Sequence, residues 1–129
     1  MAVANRVARC LIEIKETDVA REVVAELMRG ADDDESYLTH ETRSLLAELE
    51  LRQDHVAEAV ALMDDAHAGL FRTQQQVPQL WIGPVLGGFV QRKIALLEAT
   101  APDRADEWRI VQPWFTGQLP PPDQATERP

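Results

Sequence analysis

The chain has 129 residues and a formal net charge of −9, from 22 acidic and 13 basic residues. This length suits one domain with a hydrophobic core, and the negative charge disfavours nucleic acid and membrane surfaces as direct partners. Apolar residues make up 45% of the chain but aromatic residues only 5%, and Ala, Val and Leu dominate the apolar set. This composition favours closely packed helices over a sheet.

Cys10 is the only cysteine, so an internal disulfide bond is excluded and a reducing compartment is expected. The first nine residues alternate small and charged types, without the continuous apolar stretch of a signal peptide. We therefore expect a cytoplasmic protein.

A first helical hairpin is predicted over residues 3–30. Apolar or small side chains recur every three or four residues in the first helix, which predicts one buried face. That face comprises Val3, Val7, Cys10, Leu11 and Ile14. Cys10 would then be a buried, inert thiol. Thr17 or Asp18 can cap a second helix that ends at Gly30.

A second hairpin is predicted over residues 36–69. The acidic run from Asp32 to Glu35 favours a solvated turn between the two hairpins. Ser36 or Thr39 can cap the third helix, and Asp54 can cap the fourth, which Gly69 would end.

The two hairpins resemble each other in sequence. An offset of 37 residues aligns Val19 with Val56, whereas the first helices align better at an offset of 35 residues. A weaker match at 34 residues pairs Val60 with Ile94 and indicates a third unit.

This third unit, over residues 77–115, is less regular. Gly83 and Pro84 predict a break before a helix from Val85 to Ala99, and Pro102 favours the start of a short last helix. Trp108 and Ile110 would lie on the apolar side of that helix. Residues 1–116 then form a single domain, and the Pro-rich residues 117–129 a disordered tail.

The pattern Ala59, Met63 and Ala66, with Ala47 in the preceding helix, resembles the tetratricopeptide repeat family. The resemblance covers roughly residues 3–99 and implies an all-α array of about six helices, stacked as antiparallel hairpins. The segment from Gln75 to Leu86 is also similar to connecting segments in the helical-repeat regions of bacterial signalling regulators. Such arrays bind peptides or partner helices without chemistry.

No motif in the sequence predicts catalysis, a cofactor or a metal ion. His40, His55 and His67 lack the spacing of a helical zinc site, and the acidic run lacks the alternating ligands of a calcium loop. We expect structural roles for the histidines and no catalytic, cofactor-binding or metal-binding residue.

Two groups of residues are candidates for partner binding. Arg9, Arg43 and Arg52 would offer forked donors to carboxylates. Trp81 and Trp108 belong to a C-terminal concentration of aromatic residues that would close the core, form an interface, or pair the last helices of a homodimer.

The sequence therefore predicts a protein interaction or regulatory module with a helical-repeat groove, alone or within a longer chain. The alternative is a small helical ligand-binding regulator or enzyme with a pocket near Trp81 and Trp108.

Overall fold

The computed structural model describes residues 2–29, 37–77 and 83–112, and every regular element within these ranges is a helix. The helices are α1 Ala2–Glu13, α2 Thr17–Arg29, α3 Tyr37–Arg52, α4 Val56–Gln76, α5 Gly83–Thr100 and α6 Pro102–Val111. The predicted all-α fold of about six helices is therefore confirmed. The acidic run 32–35, Trp81 and the tail 117–129 lie outside the described residues. None of the described helices is both long enough and apolar enough to cross a membrane.

The first two pairs of helices are joined by turns with the same backbone geometry. The Glu16 amide donates to the Leu11 carbonyl at 2.8 Å, and the His55 amide donates to the Glu50 carbonyl at 2.9 Å. In both turns the residue before this donor has a left-handed backbone, which lets the chain leave the helix end sharply.

These left-handed residues are Lys15, with φ of 65°, and Asp54, with φ of 62°. They lie 39 residues apart, so the offsets of 37 and 35 residues inferred from the sequence do not align the turns. Asp54 does not cap α4 as predicted, because His55 is the residue that precedes the helix.

The face of α1 predicted to be buried is largely exposed. Val3, Val7 and Ile14 are 74%, 45% and 67% exposed. Cys10 is also exposed, so the prediction of a buried thiol is wrong.

The face of α1 that packs inward carries Asn5, Ala8 and Ile12. Asn5 is buried because its amide side chain bonds to polar groups of α3, among them Glu41 and Thr42. A prediction based on apolar side chains gives Asn5 no weight and so selects the wrong face.

α3 is the central helix of the described residues, since it contacts α1, α2, α4 and α5. The odd-numbered helices form a row, in which α1 contacts α3 and α3 contacts α5, and each packs on the even-numbered helix that follows it. Leu45 and Leu49 of α3 join an apolar cluster with α1 and α2, whereas Ala47 joins a second cluster with α4, α5 and α6. Each fully buried leucine contributes about 1.5–3 kcal/mol.

α4 does not end at Gly69 as predicted but continues to Gln76. Gly69 is a packing residue instead, because a Cβ atom at this position would overlap the imidazole ring of His40 on α3. The Thr73 hydroxyl donates to the Gly69 carbonyl at 3.0 Å, one turn further along the uninterrupted helix.

The break predicted at Gly83 and Pro84 coincides with the start of α5. Proline is tolerated in the first turn, where its missing N–H leaves no helical hydrogen bond unmade. Trp108 of α6 is buried as predicted, whereas Ile110 is 72% exposed, contrary to the prediction.

Replacing Gly69 with alanine should destabilise the fold, because the added methyl group requires His40 to move out of a fully buried site. We expect a loss of about 1–3 kcal/mol in the free energy of unfolding, measured by urea denaturation. Gly87→Ala in α5 is the matched control, since a Cβ atom there has no neighbour within 4 Å. It should instead stabilise the protein by about 0.5–1 kcal/mol. Equal stability of the two variants would contradict this role of Gly69.

Glu50 makes the stability sensitive to acid. Arg21 Nη1 donates to Glu50 Oε1 at 2.6 Å, and His55 Nδ1 lies 2.6 Å from Glu50 Oε2. The hydrogen bond from Arg21 holds the pKa of Glu50 below its ordinary value of 4.5, burial opposes this shift, and His55 adds to it. Because the folded pKa is lower than the unfolded one, the contribution is complete above about pH 4.5 and is lost as pH falls through the folded pKa.

Glu50→Gln should therefore lower the free energy of unfolding at pH 7 by about 1–2 kcal/mol, and less at low pH. Urea denaturation at pH 7 and at successively lower pH values measures both effects. The control is Glu58→Gln, because Glu58 is exposed on α4. A Glu50→Gln variant with the same acid sensitivity as this control would exclude the proposed contribution.

Candidate functional site

α5 buries two adjacent cations and directs them to different neighbours. Arg92 reaches Ser44 on α3, and Lys93 reaches Asp64 on α4. Arg92 is only 9% exposed and Lys93 only 3% exposed. Charged side chains are almost never buried this deeply without a partner, so the surroundings of Arg92 and Lys93 are candidates for a functional site.

The Arg92 guanidinium uses only part of its hydrogen-bonding capacity within the described residues. Its Nε donates to Ser44 Oγ at 2.9 Å, and Ser44 Oγ donates to the Glu41 carbonyl at 2.7 Å. Arg92 Nη2 is buried and makes no hydrogen bond within the described part of the chain. A buried donor without an acceptor lowers the stability of the fold by about 1–3 kcal/mol or more. A ligand that offers an acceptor to this atom would therefore bind favourably.

Gly88 lies one turn before Arg92 and leaves room for its guanidinium. A Cβ atom at Gly88 would lie 3.3 Å from Arg92 Nη1 and 3.5 Å from Arg92 Nη2. At Gly87, by contrast, a Cβ atom would meet no neighbour within 4 Å. The close approach of Arg92 therefore gives a packing reason for glycine at position 88 but not at position 87.

A buried polar network fixes α1 against α3 beside Arg92. Asn5 Nδ2 donates to Glu41 Oε1 at 2.9 Å and to the Leu38 carbonyl at 3.1 Å. The Thr42 hydroxyl lies 2.7 Å from Asn5 Oδ1. Because Asn5, Glu41 and Thr42 are all buried, moving α1 along α3 would break several hydrogen bonds that water could not replace.

Charges of both signs surround Arg92. Burial lowers the pKa of the Arg92 guanidinium, the negative charges of Glu41 and Glu48 oppose this shift, and the positive charge of Arg9 adds to it. Arginine nevertheless stays protonated in proteins, so Arg92 is a permanent donor and not an acid or a base.

A cleft of about 200 Å³ opens where α1, α3 and α5 meet. Two arginines and two glutamates supply its charge, and shorter or apolar side chains complete its walls. The lining includes Arg9, Ile12, Glu13, Glu48, Arg92 and Ala95. We call this the Arg92 cleft.

Arg9 adds a second unmet donor to the Arg92 cleft. Its Nε is buried and makes no hydrogen bond to the residues that the structure describes. Two guanidinium groups in one cleft suit a carboxylate, which can accept paired N–H donors. The volume corresponds to roughly seven water molecules at about 30 Å³ each, which suits a carboxylate with a short chain and not a large cofactor.

The three arginines predicted as partner contacts do not all reach this cleft. Arg9 lines it directly. Arg52 lies 3.5 Å from Glu48, a residue of the cleft wall, and restrains that carboxylate. Arg43 is not among the residues of the cleft, and its Nη1 donates to His40 Nδ1 at 2.7 Å.

Of the two predicted tryptophans, Trp108 lies in the core and Trp81 lies outside the described residues. The Trp108 ring packs edge-on against His67, and the Lys93 ammonium lies 5.8 Å from the ring centroid. Another cleft of about 200 Å³ borders Lys93 on this side of α5. Since Lys93 already has Asp64 as a partner at 3.5 Å, this second cleft presents a weaker case for a ligand than the Arg92 cleft.

The histidines contact protein side chains in the described structure. His67 packs between the rings of Phe89 and Trp108, and His55 meets Glu50. Within residues 2–29, 37–77 and 83–112, no three His, Cys, Asp or Glu side chains are close enough together to hold a metal ion.

Sequence reasoning missed both buried cations of α5, although their spacing contained a signal. Arg92 lies three residues after Phe89 and four before Leu96, both of which are buried. A cation in the register of an apolar helix face either extends its charged end to solvent or is buried with partners. For Arg92, the outcome depends on how α1 and α3 pack against α5, which the sequence of α5 alone does not determine.

Comparison with protein-family models, with curated proteins and with solved structures finds no match for this chain. Its functional assignment therefore rests on the geometry of the described residues.

Lys93 should make the free energy of unfolding depend on pH in the alkaline range. Burial lowers the pKa of Lys93 below its ordinary value of 10.5, Asp64 opposes this shift, and Arg104 adds to it. Between the folded pKa and pH 10.5 the unfolded chain binds more protons than the folded chain, so the free energy of unfolding should rise with pH in that window.

Lys93→Met should remove this rise and stabilise the protein at pH 7 by roughly 1 kcal/mol, because it replaces a buried charge with an apolar chain of similar length. Asp64 is 57% exposed and stays solvated without its partner. Thermal unfolding from about pH 7 to about pH 10.5 measures both effects, with the exposed Lys15→Met as control. A destabilised Lys93→Met variant would show that the ion pair outweighs the desolvation of Lys93.

Proposed function

We propose that this chain is a non-catalytic interaction module that binds a carboxylate of a partner polypeptide in the Arg92 cleft. The observation that carries the proposal is the buried Arg92 Nη2, which has no acceptor among the described residues and belongs to a side chain that lines an open cleft. A chain terminus and an acidic side chain both qualify as the carboxylate, since they present the same two oxygen acceptors.

The position of the cleft supports a helical-repeat groove. It lies on the face shared by the odd-numbered helices α1, α3 and α5. The matching turns at Lys15 and Asp54 support the further proposal that the first two hairpins are repeats of one unit, as in a tetratricopeptide-like array. In such arrays the ligand groove is built from successive units.

The charge balance of the cleft favours a carboxylate over a phosphate group. Arg9 and Arg92 would pair with one negative charge, whereas Glu13 and Glu48 would repel a second. The two glutamates can instead accept hydrogen bonds from amide N–H groups of a bound peptide. A peptide carboxylate thus meets donors and acceptors in the same cleft.

Binding without chemistry fits the residue types. Arginine does not lose its proton and so provides no general base, and Glu13 is exposed on α1. Cys10 is exposed and has no second cysteine in the chain to pair with. An exposed free thiol is stable in a reducing compartment and prone to oxidation outside one, which supports our proposal of a cytoplasmic module.

Isothermal titration calorimetry with three short synthetic peptides tests the proposal. One is neutral with a free C-terminal carboxylate, the second is the same peptide amidated, and the third is amidated with one internal glutamate. We expect the first or third peptide to bind and the amidated neutral peptide not to bind. Arg9→Gln should weaken binding roughly tenfold to a hundredfold, because a charge-assisted hydrogen bond is lost.

Gly88 and Gly87 provide a matched pair of variants. Gly88→Ala should weaken peptide binding, because its methyl group would lie 3.3 Å from Arg92 Nη1 and require the guanidinium to shift by a few tenths of an ångström, whereas Gly87→Ala should bind like the unmodified protein. Equal binding by both variants, or binding of the amidated neutral peptide, would overturn the proposal.

A further inference from the structure

The exposed face of α1 carries an apolar row with the spacing of a coiled-coil interface. Its members are Val3, Val7, Cys10 and Ile14, which are separated by four, three and four residues. Ile14 directly follows the last residue of α1, and its amide still donates to the Cys10 carbonyl at 3.1 Å. All four are exposed, and Val3 and Ile14 keep about two-thirds or more of their surface in contact with solvent. We call this row the α1 stripe. A short surface helix normally turns such a row toward the core, so this one lacks a partner among the described residues.

The α1 stripe is separate from the Arg92 cleft. Asn5, Ala8 and Ile12 bury the inward face of α1, and Ile12 also lines the cleft. The stripe lies on the outward face, whereas Glu13, which lies beside the stripe, also lines the cleft.

We propose that the α1 stripe binds the α1 stripe of a second copy of this chain, with the two helices antiparallel. In that arrangement Val3 packs against Ile14 of the second copy, and Val7 packs against Cys10 of the second copy. Every member of the stripe is then covered by an apolar side chain of the second copy, as in a coiled-coil interface.

The charges beside the stripe select the antiparallel orientation. Arg6 directly precedes Val7 and Glu13 directly precedes Ile14, and both are exposed. In the antiparallel pair Arg6 lies beside Glu13 of the second copy, and symmetry repeats this ion pair. A parallel pair would set Arg6 beside Leu11 of the second copy and would lose both ion pairs.

The adjoining groove between α1 and α2 extends this surface. It is apolar at Ala4, Val23 and Leu27 and lies next to the stripe. Even so, α1 is only 12 residues, about 18 Å long, and its stripe is smaller than the roughly 800 Å² per partner of a typical stable interface. The dimer should therefore form at high protein concentration and dissociate on dilution.

Disulfide trapping tests the orientation. The Val3→Cys/Ile14→Cys/Cys10→Ala variant holds two thiols that face each other across the antiparallel pair. Within one chain these thiols lie eleven residues apart, too far for an intramolecular disulfide bond. The variant should therefore form a covalent dimer on oxidation with diamide. Val3→Cys/Cys10→Ala and Ile14→Cys/Cys10→Ala each hold a single thiol, so both should cross-link much more slowly. Equally rapid cross-linking of the single-thiol variants would indicate a parallel pair and overturn the proposal.

Sedimentation equilibrium over a range of concentrations tests the association itself. Arg6→Glu should weaken the dimer roughly threefold to thirtyfold, because it removes both ion pairs, and Arg6→Glu/Glu13→Arg should restore it. Circular dichroism checks that the variants stay helical, which their exposed positions favour. A monomer at every concentration, or a double variant as weak as the single one, would overturn the proposal and leave the stripe to a different protein.

Discussion

The first half of α3 buries polar side chains, and each of them needs a hydrogen-bond partner inside the protein. This requirement constrains three other helices. α1 turns Asn5 inward to meet Glu41 and Thr42, and α5 brings Arg92 to Ser44. α4 approaches closely enough for its backbone at Gly69 to lie against His40 of α3. The arrangement of the described helices thus follows from polar groups buried on several sides of the first half of α3 as much as from apolar packing.

The same constraint leaves two surfaces of α1 with different properties. Turning Asn5 inward brings Arg9 to the cleft beside Arg92 and directs Val3 and Val7 outward. The inward side is charged and concave, and suits a small acidic group. The outward side is apolar and suits another helix. Because Glu13 borders both surfaces, binding of a second chain on the outward side would change the charge of the cleft.

The sequence predicts the helices well but not the orientation of every one. The six helices, the break at Gly83 and the burial of Trp108 follow from periodicity, proline and glycine. These signals are local, since they depend on residues within a few turns. The tetratricopeptide-like resemblance and the function remain proposals.

The candidate site was predicted only through Arg9. Arg92 and Lys93 were not predicted as site residues, because a cation on an apolar helix face can be either solvated or buried. Which of the two occurs depends on residues that are distant in sequence. The inward face of α1 was missed for the same reason, since Asn5 becomes a core residue only when Glu41 and Thr42 meet it. Interactions between residues as far apart in sequence as these leave little trace in local periodicity.

The shared turns at Lys15 and Asp54 suggest interchangeable building blocks, yet the polar contacts make the hairpins unequal. Asn5 fits the polar groups of α3, and Ser44 of α3 fits Arg92 of α5, so each junction has its own chemistry. Duplicating or swapping a hairpin would set mismatched polar groups against each other and leave some buried without partners. The surfaces can therefore change independently of these junctions, whereas insertion of another unit would leave buried polar groups without partners.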